Sequence, residues 1–197
     1  MSRRPIPPAD LSLRSPVTEV IAAGTTLYRF FRNGYGSTYF ATDRGGRLNA
    51  PDASYGVLYT AQSLNGAFAE TFLRDPGQNR VDGFFLRTKG LVHLTASADL
   101  RMVALFGPGL ANIGATAEVT HSGVGEYDLS QGWSKALHEH PGDFDGIAYR
   151  SRHDDNEICY AIFDRAQRNI RVADEHADLD RDEIWDLIDR YGLRYYP

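Results

Sequence analysis

"FDGIAYRSRHDDNEICYAIFDRAQRNIRVAD" runs from Phe144 to Asp174 and carries three apolar segments with only polar joints between them. "FDGIAYRS", "EICYAIFD" and "RNIRVAD" are each short and mix β-branched and aromatic residues with an occasional charge, the composition of strands. Three strands in succession without helices between them do not fit a doubly wound sheet. They point to an α+β chain with a mixed or mainly antiparallel sheet.

The pattern extends in both directions. "TTLYRFFR" (25–32) and "YGVLYTA" (55–61) read as strands, as do "VDGFFLRT" (81–88) and "GLVHLTA" (90–96). A glycine-rich loop separates the first two. From Ser63 the period changes: Leu64, Ala67, Phe68, Thr71 and Phe72 fall on one side of a helix, which "DPG" (75–77) should stop. "SADLRMVALFGPGLANIG" (97–114) reads as helical or irregular. "SQGWSKALHEH" (130–140) reads as a short helix ended by Pro141-Gly142. A last helix is expected over 180–191, with Asp180 and Glu183 as a capping box, Leu179 and Ile184 as a staple, and Gly192 as its end.

The 197 residues suffice for one domain with a full core, and a 42% apolar, 24% charged composition is that of a soluble globular chain. Residues 1–20, with prolines at 5, 7 and 8, are expected to be an extended arm ahead of a domain over 21–197. No apolar run is long enough to span a bilayer, and the basic N-terminus lacks the apolar core of a signal peptide. The single cysteine, Cys159, rules out an internal disulfide and fits the cytoplasm. A formal charge of −5 argues against direct nucleic-acid binding, which needs a basic surplus. A local arginine cluster could still hold one small anion, and Arg29, Arg32, Arg44, Arg47, Arg150 and Arg152 are the candidates.

Several motifs invite chemistry. "GPGLANIG" (107–114) fails as a dinucleotide loop because Asn112 stands where the third glycine belongs and Pro108 interrupts the turn. His138 and His140 are two apart, on different faces of a helix, so they read as a solvated helix end rather than zinc ligands. Cys159 alternates with Ala161 and Phe163 and reads as core. "TDRGGRLN" (42–49) is either a phosphate-holding loop or a charged surface loop. Glu70 lies about 140° from the centre of its helix's apolar stripe, so it faces either water or a cleft.

Four of these segments together resemble the RES domain family: "RGGRLN", "GVLYTAQSLNGAFAETF", "SQGWSKALHEH" and "DFDGIAYRSRHDDNEICYAIFD", in that order within residues 25–165. Leu48 stands where the family often has tryptophan. The resemblance implies a compact α+β domain around a split sheet with flanking helices, similar to ADP-ribosyltransferases. It implies the toxin half of a toxin–antitoxin pair, which depletes NAD by cleaving the nicotinamide–ribose bond through hydrolysis or phosphorolysis. NAD is then a substrate, with no metal or other cofactor. The implied partner is an Xre-like helix-turn-helix antitoxin that covers the active site in a hetero-oligomer.

Residue by residue, the family positions fall on Arg29 and Arg47 for the pyrophosphate and on Glu70 for the charge that develops on the ribose. Tyr59 is expected to stack on the nicotinamide, and Ser151 to hydrogen-bond the nicotinamide ribose or amide. Tyr28 and Asn49 are expected to line the pocket. An ADP-ribosyltransferase acting on a macromolecule, or an inert partner-binding module, are the alternatives.

Overall fold

The computed structural model describes residues 5–74, 77–123 and 125–197. Among them ten strands occur in chain order: β1 (Thr18–Ile21), β2 (Thr26–Arg32), β3 (Val57–Ala61), β4 (Arg80–Asp82), β5 (Lys89–Ala96), β6 (Leu100–Leu105), β7 (Gly146–Arg150), β8 (Ile158–Phe163), β9 (Ile170–His176) and β10 (Arg194–Tyr196). Six helices accompany them: α1 (Leu64–Phe72), α2 (Gly83–Arg87), α3 (Pro108–Ile113), α4 (Glu118–His121), α5 (Asp128–His138) and α6 (Asp182–Arg190). Eight strands form one sheet in the order β1-β6-β7-β8-β3-β2-β5-β9, while β4 and β10 pair separately in parallel. Within the large sheet only β6 and β7 run parallel, across a connection that holds α3, α4 and α5. The expected α+β class with a mainly antiparallel, mixed sheet is the observed one.

The alternation of side chains along the strands sorts them into two cores. Val57, Cys159, Ala161, Phe163, Ile147 and Tyr149 lie on one face with Phe68 of α1, Trp133 of α5 and Ile184 of α6. Leu58, Tyr160, Ile162 and Ala148 lie on the other with Leu27, Leu94 and Met102. Burial on both faces explains why "GIAYR" and "ICYAIF" read as continuous apolar runs.

The sheet is nearly divided at one place. β2 meets β5 over seven paired positions, from Thr26↔Thr95 to Arg32↔Lys89. Against β3 it keeps a single pair, Tyr28↔Ala61. The two parts therefore separate beyond that pair, and the gap opens beside α1.

Four expectations need correction. "VDGFFLRT" is not one strand. Asp82 ends β4 and caps α2, its Oδ1 accepting from Phe85 N at 3.0 Å, and this local bond outweighs the strand preference of the two phenylalanines. "SADLRMVALFGPGLANIG" contains the strand β6, then α3 beginning at Pro108 after Gly107 at φ +52°. Short apolar runs suit either conformation, and pairing with β1 and β7 decides this one.

The boundary expected between residues 20 and 21 falls inside β1. Residues 5–20 are not a detached arm: Leu11 is buried, and the Pro5 carbonyl accepts from Trp133 Nε1. Finally, α6 begins at Asp182 rather than at Asp180, and the capping box does not form. Asp180 Oδ1 accepts from Trp185 Nε1 at 2.8 Å, and Glu183 pairs with Arg181 at 2.8 Å. Leu179 and Ile184 are both buried in the same core, and Gly192 at φ +61° follows the helix. The "DPG" stop expected after α1 includes Asp75 and Pro76, outside the described residues. Among the described residues no helix is long and apolar enough to cross a membrane.

Candidate functional site

Helix α1 starts where a serine is available to cap it: Ser63 Oγ accepts from Gly66 N at 3.0 Å. Its apolar side seats Ala67 and Phe68 in the core, which leaves Glu70 on the opposite side, over the gap in the sheet. The carboxylate is anchored there by the β7–β8 loop. Ser151 Oγ donates to Glu70 Oε1 at 2.7 Å and Arg152 N donates to the same oxygen at 3.2 Å. Among the described residues Glu70 Oε2 has no hydrogen-bond partner.

The gap forms a cleft of about 170 Å³. Tyr28, Arg29, Arg47, Tyr59 and Glu70 all line it. Arg29 stands on β2 where pairing with β3 has ceased, and its Nη1 donates to the Tyr59 carbonyl at 2.8 Å in place of the missing ladder bond. Burial brings its guanidinium pKa down from the usual arginine range to about 10, so it stays charged at neutral pH. Nε of Arg29 is buried without a partner among the described residues, which leaves donor capacity in the guanidinium.

Arg47 and Arg152 are drawn together by one acceptor, the Ser122 carbonyl, which takes Arg47 Nε at 3.3 Å and Arg152 Nη1 at 3.2 Å. The Arg47 guanidinium also lies 5.9 Å from the Tyr127 ring centroid. Two guanidinium groups held side by side are suited to an anion with several oxygens.

Two expected pocket residues do not line the cleft. Ser151 is fully buried, and its hydroxyl is committed to Glu70 while accepting from His153 N and Asp154 N at 3.1 and 3.3 Å. It holds the carboxylate and is not free to bond a ribose or amide. Asn49 is likewise buried: its Nδ2 donates to the Asp43 carbonyl at 2.7 Å, and its Oδ1 accepts from Tyr59 O–H at 2.9 Å. It shapes the 42–49 loop from behind.

The same loop is tied by Gln131 Nε2 to the Arg44 and Gly46 carbonyls, both at 3.0 Å, and Leu48 is buried beneath it. Tyr59 also accepts from Leu48 N at 2.8 Å, so its hydroxyl is used up in the loop and its ring lines the cleft. Tyr59→Phe is expected to destabilise the protein by about 1–3 kcal/mol, because two buried polar groups lose their partner. A lower urea midpoint at unchanged slope would show it, and an unchanged midpoint would exclude it.

Of the six arginines read as a cluster, Arg29, Arg47 and Arg152 line the cleft. Arg32 lies over the Tyr35 ring, Arg44 pairs with Asp128, and Arg150 donates to the Asp155 and Asn156 carbonyls. Arg74, Tyr127 and His153 are lining residues that the sequence reading did not single out. Arg74 was within reach of it: it follows Glu70 by four residues, just past the end of α1, and its Nε donates to the Glu70 carbonyl at 2.7 Å. Tyr127 and His153 carried no such signal.

Burial lowers the His153 pKa, with Glu70 opposing and Arg152 reinforcing the shift, so the ring is neutral at pH 7. Its folded value lies below the unfolded 6.5, so the folded state binds fewer protons and loses stability as pH falls from 6.5 through the folded value. Thermal melts of His153→Gln should be less sensitive to pH over that window than those of the wild type; parallel curves would assign the acid sensitivity elsewhere.

The other motifs go to structure. His138 stacks on Tyr55 with ring centroids 3.9 Å apart. His140 Nε2 and Nδ1 lie 3.1 Å from the Leu11 carbonyl and 2.9 Å from Gly142 N. Cys159 is buried at the base of the cleft, and burial pushes its thiol pKa well up, away from a nucleophilic thiolate.

Comparison with known proteins agrees with this architecture. The fold is similar to a chain in the crystal structure of the M. tuberculosis MbcT–MbcA toxin–antitoxin complex, with a TM-score of 0.65 and 16% identity over 86% of this chain and 92% of that one. No curated protein sequence matches. A model of the RES domain matches residues 26–183, most of the described fold and all the cleft residues named above. The chain belongs to the RES domain family.

Proposed function

We propose that this protein is the toxin half of a toxin–antitoxin pair and that it consumes NAD by breaking the nicotinamide–ribose bond. The observation that carries this reading is the state of Glu70: one oxygen held by Ser151 and Arg152, the other facing a cleft lined by four arginines. Cleavage of an N-glycosidic bond develops positive charge on the ribose, as in an oxocarbenium ion. A fixed carboxylate stabilises that charge without reorganising during the reaction. Nicotinamide departs as a neutral ring, so the site needs no strong general acid.

Arg29 and Arg47, joined by Arg152, are the groups proposed to bind the pyrophosphate. The face of Tyr59 is proposed to stack on the nicotinamide, a flat cationic ring before cleavage. Tyr28 is proposed to border the same pocket. The partner is proposed to be an Xre-like antitoxin that covers the cleft. The similarity in fold to a toxin crystallised with its antitoxin supports a paired role.

The test is purified protein with NAD, following nicotinamide release with and without inorganic phosphate. ADP-ribose as the product means water is the acceptor; a phosphorylated ADP-ribose that requires added phosphate means phosphorolysis. Label from radioactive NAD appearing on a macromolecule would establish transfer instead. No release under any of these conditions would remove the enzymatic reading and leave an inert partner-binding module.

A further inference from the structure

The loop of residues 151–157 between β7 and β8 closes on α1 at two places. Its neck is a bond from Ser151 N to the Glu157 carbonyl at 2.9 Å. At the start of the helix, the Glu157 carboxylate accepts from the cap Ser63 and from Asn65 Nδ2 at 3.3 Å. In the second turn, Ser151 Oγ and Arg152 N hold Glu70. The Ser151 hydroxyl takes its direction from the loop itself, since it accepts from the amides of His153 and Asp154. The shape of this loop therefore sets where Glu70 sits.

The loop's outer side is held by a residue from another part of the chain. Asp154 Oδ1 accepts from Asn156 N and Nδ2, both at 3.2 Å, and Asp154 Oδ2 accepts from Tyr191 O–H at 2.9 Å. Tyr191 ends α6 and lies beyond residue 183, where the family match stops. Its ring is parallel to Phe68 of α1, with a 2° interplanar angle and centroids 5.7 Å apart. One side chain thus touches both the helix that bears the carboxylate and the loop that holds it. Tyr191 is not among the cleft-lining residues.

We propose that Tyr191 is a positioning residue: through Asp154 it fixes the loop that presents Ser151 Oγ and Arg152 N to Glu70. The inference rests on the NAD-cleaving reading above for its kinetic consequence, though not for its geometry. A phenol donating to a carboxylate makes a charge-assisted bond, stronger than a neutral one. Burial, and then Asp154, raise the phenol's pKa, so it remains a donor throughout the neutral range. A displacement of about 1 Å at a reacting group costs on the order of a hundredfold in rate, so a loosened loop is expected to cost less than that.

Tyr191→Phe keeps the ring on Phe68 and removes only the hydroxyl. The expected result is a kcat for nicotinamide release lower by about tenfold with KM for NAD changed less than about twofold, the pattern of a lost transition-state interaction. Asp154→Ala should lose at least as much, because it also frees Asn156 N and Nδ2, and the double variant should be no worse than Asp154→Ala alone, because the Tyr191 hydroxyl acts through that carboxylate. A kcat within about twofold of wild type, or single losses that multiply in the double variant, overturns the proposal.

Should the wild-type protein release no nicotinamide, the reaction assigned above fails, and the positioning claim is judged by amide hydrogen exchange. Faster exchange over residues 152–156 in Tyr191→Phe and Asp154→Ala, with the thermal midpoint retained, supports it; unchanged exchange overturns it.

Discussion

Glu70→Gln should slow nicotinamide release from NAD at least about a hundredfold, the scale of losing one electrostatic stabiliser. The substitution preserves size and changes the charge, and the surroundings determine which way the new amide turns. Ser151 O–H and Arg152 N–H both donate to Oε1. A glutamine must offer them its carbonyl oxygen, which aims its NH₂ group into the cleft. The site then presents a donor, with partial positive charge, to a sugar that is itself becoming positive. A hundredfold corresponds to about 2.7 kcal/mol in the barrier. Initial rates at saturating NAD are the measurement, with circular dichroism to confirm folding. A rate within a few-fold of wild type would take Glu70 out of the mechanism and return it to a structural role in joining α1 to the β7–β8 loop.

Arg29→Ala carries the second large effect, and it has two parts that can be separated. The guanidinium spans the place where β2 and β3 diverge and donates to the Tyr59 carbonyl at 2.8 Å. Removing it leaves that carbonyl without its donor, an expected cost of about 1–3 kcal/mol in urea unfolding. It also removes a desolvated cation of the cleft. Truncating one member of a buried charged pair costs about 2–5 kcal/mol, so KM for NAD should rise by about 30-fold or more.

Arg29→Lys separates the two. It restores a positive charge but not a planar fork, so it should recover part of the affinity while leaving the Tyr59 carbonyl poorly bonded. If Arg29→Ala lowers stability and leaves KM unchanged, Arg29 is a strut across the divided sheet and not a ligand for NAD.

Much of the molecule was readable along the chain, and the reason is local composition and spacing. "VLYTA", "GIAYR" and "ICYAIF" are short apolar runs rich in β-branched and aromatic residues, and all three are strands packed on both faces. Helix α1 was equally clear, because Ser63 caps it through a bond three residues away and its apolar stripe recurs every turn. The misread segments lacked such local constraint or contained a competing one. "LRMVAL" is too short to show a period, and its conformation follows from strands at residues 18–21 and 146–149. At Asp82 a side-chain cap began a helix inside a run of strand-forming residues.

The functional site was readable only in its inventory. Composition and motif order brought forward an acid, several arginines and two tyrosines, all of which a chain can display without bringing them together. The resemblance singled out Arg29 and Arg47; only the folded form adds Arg152 to them, while Arg32, Arg44 and Arg150 turn to other partners.

The same division holds for Glu70. Its place on the helix, off the apolar stripe, follows from the helical repeat over a few neighbouring residues. Whether that side meets water or a cleft depends on Ser151, 81 positions away in sequence, and on a sheet that parts between β2 and β3. Short-range bonds and side-chain spacing dictate the elements of this protein. The cleft comes from packing between distant segments, whose contacts leave no period in the chain.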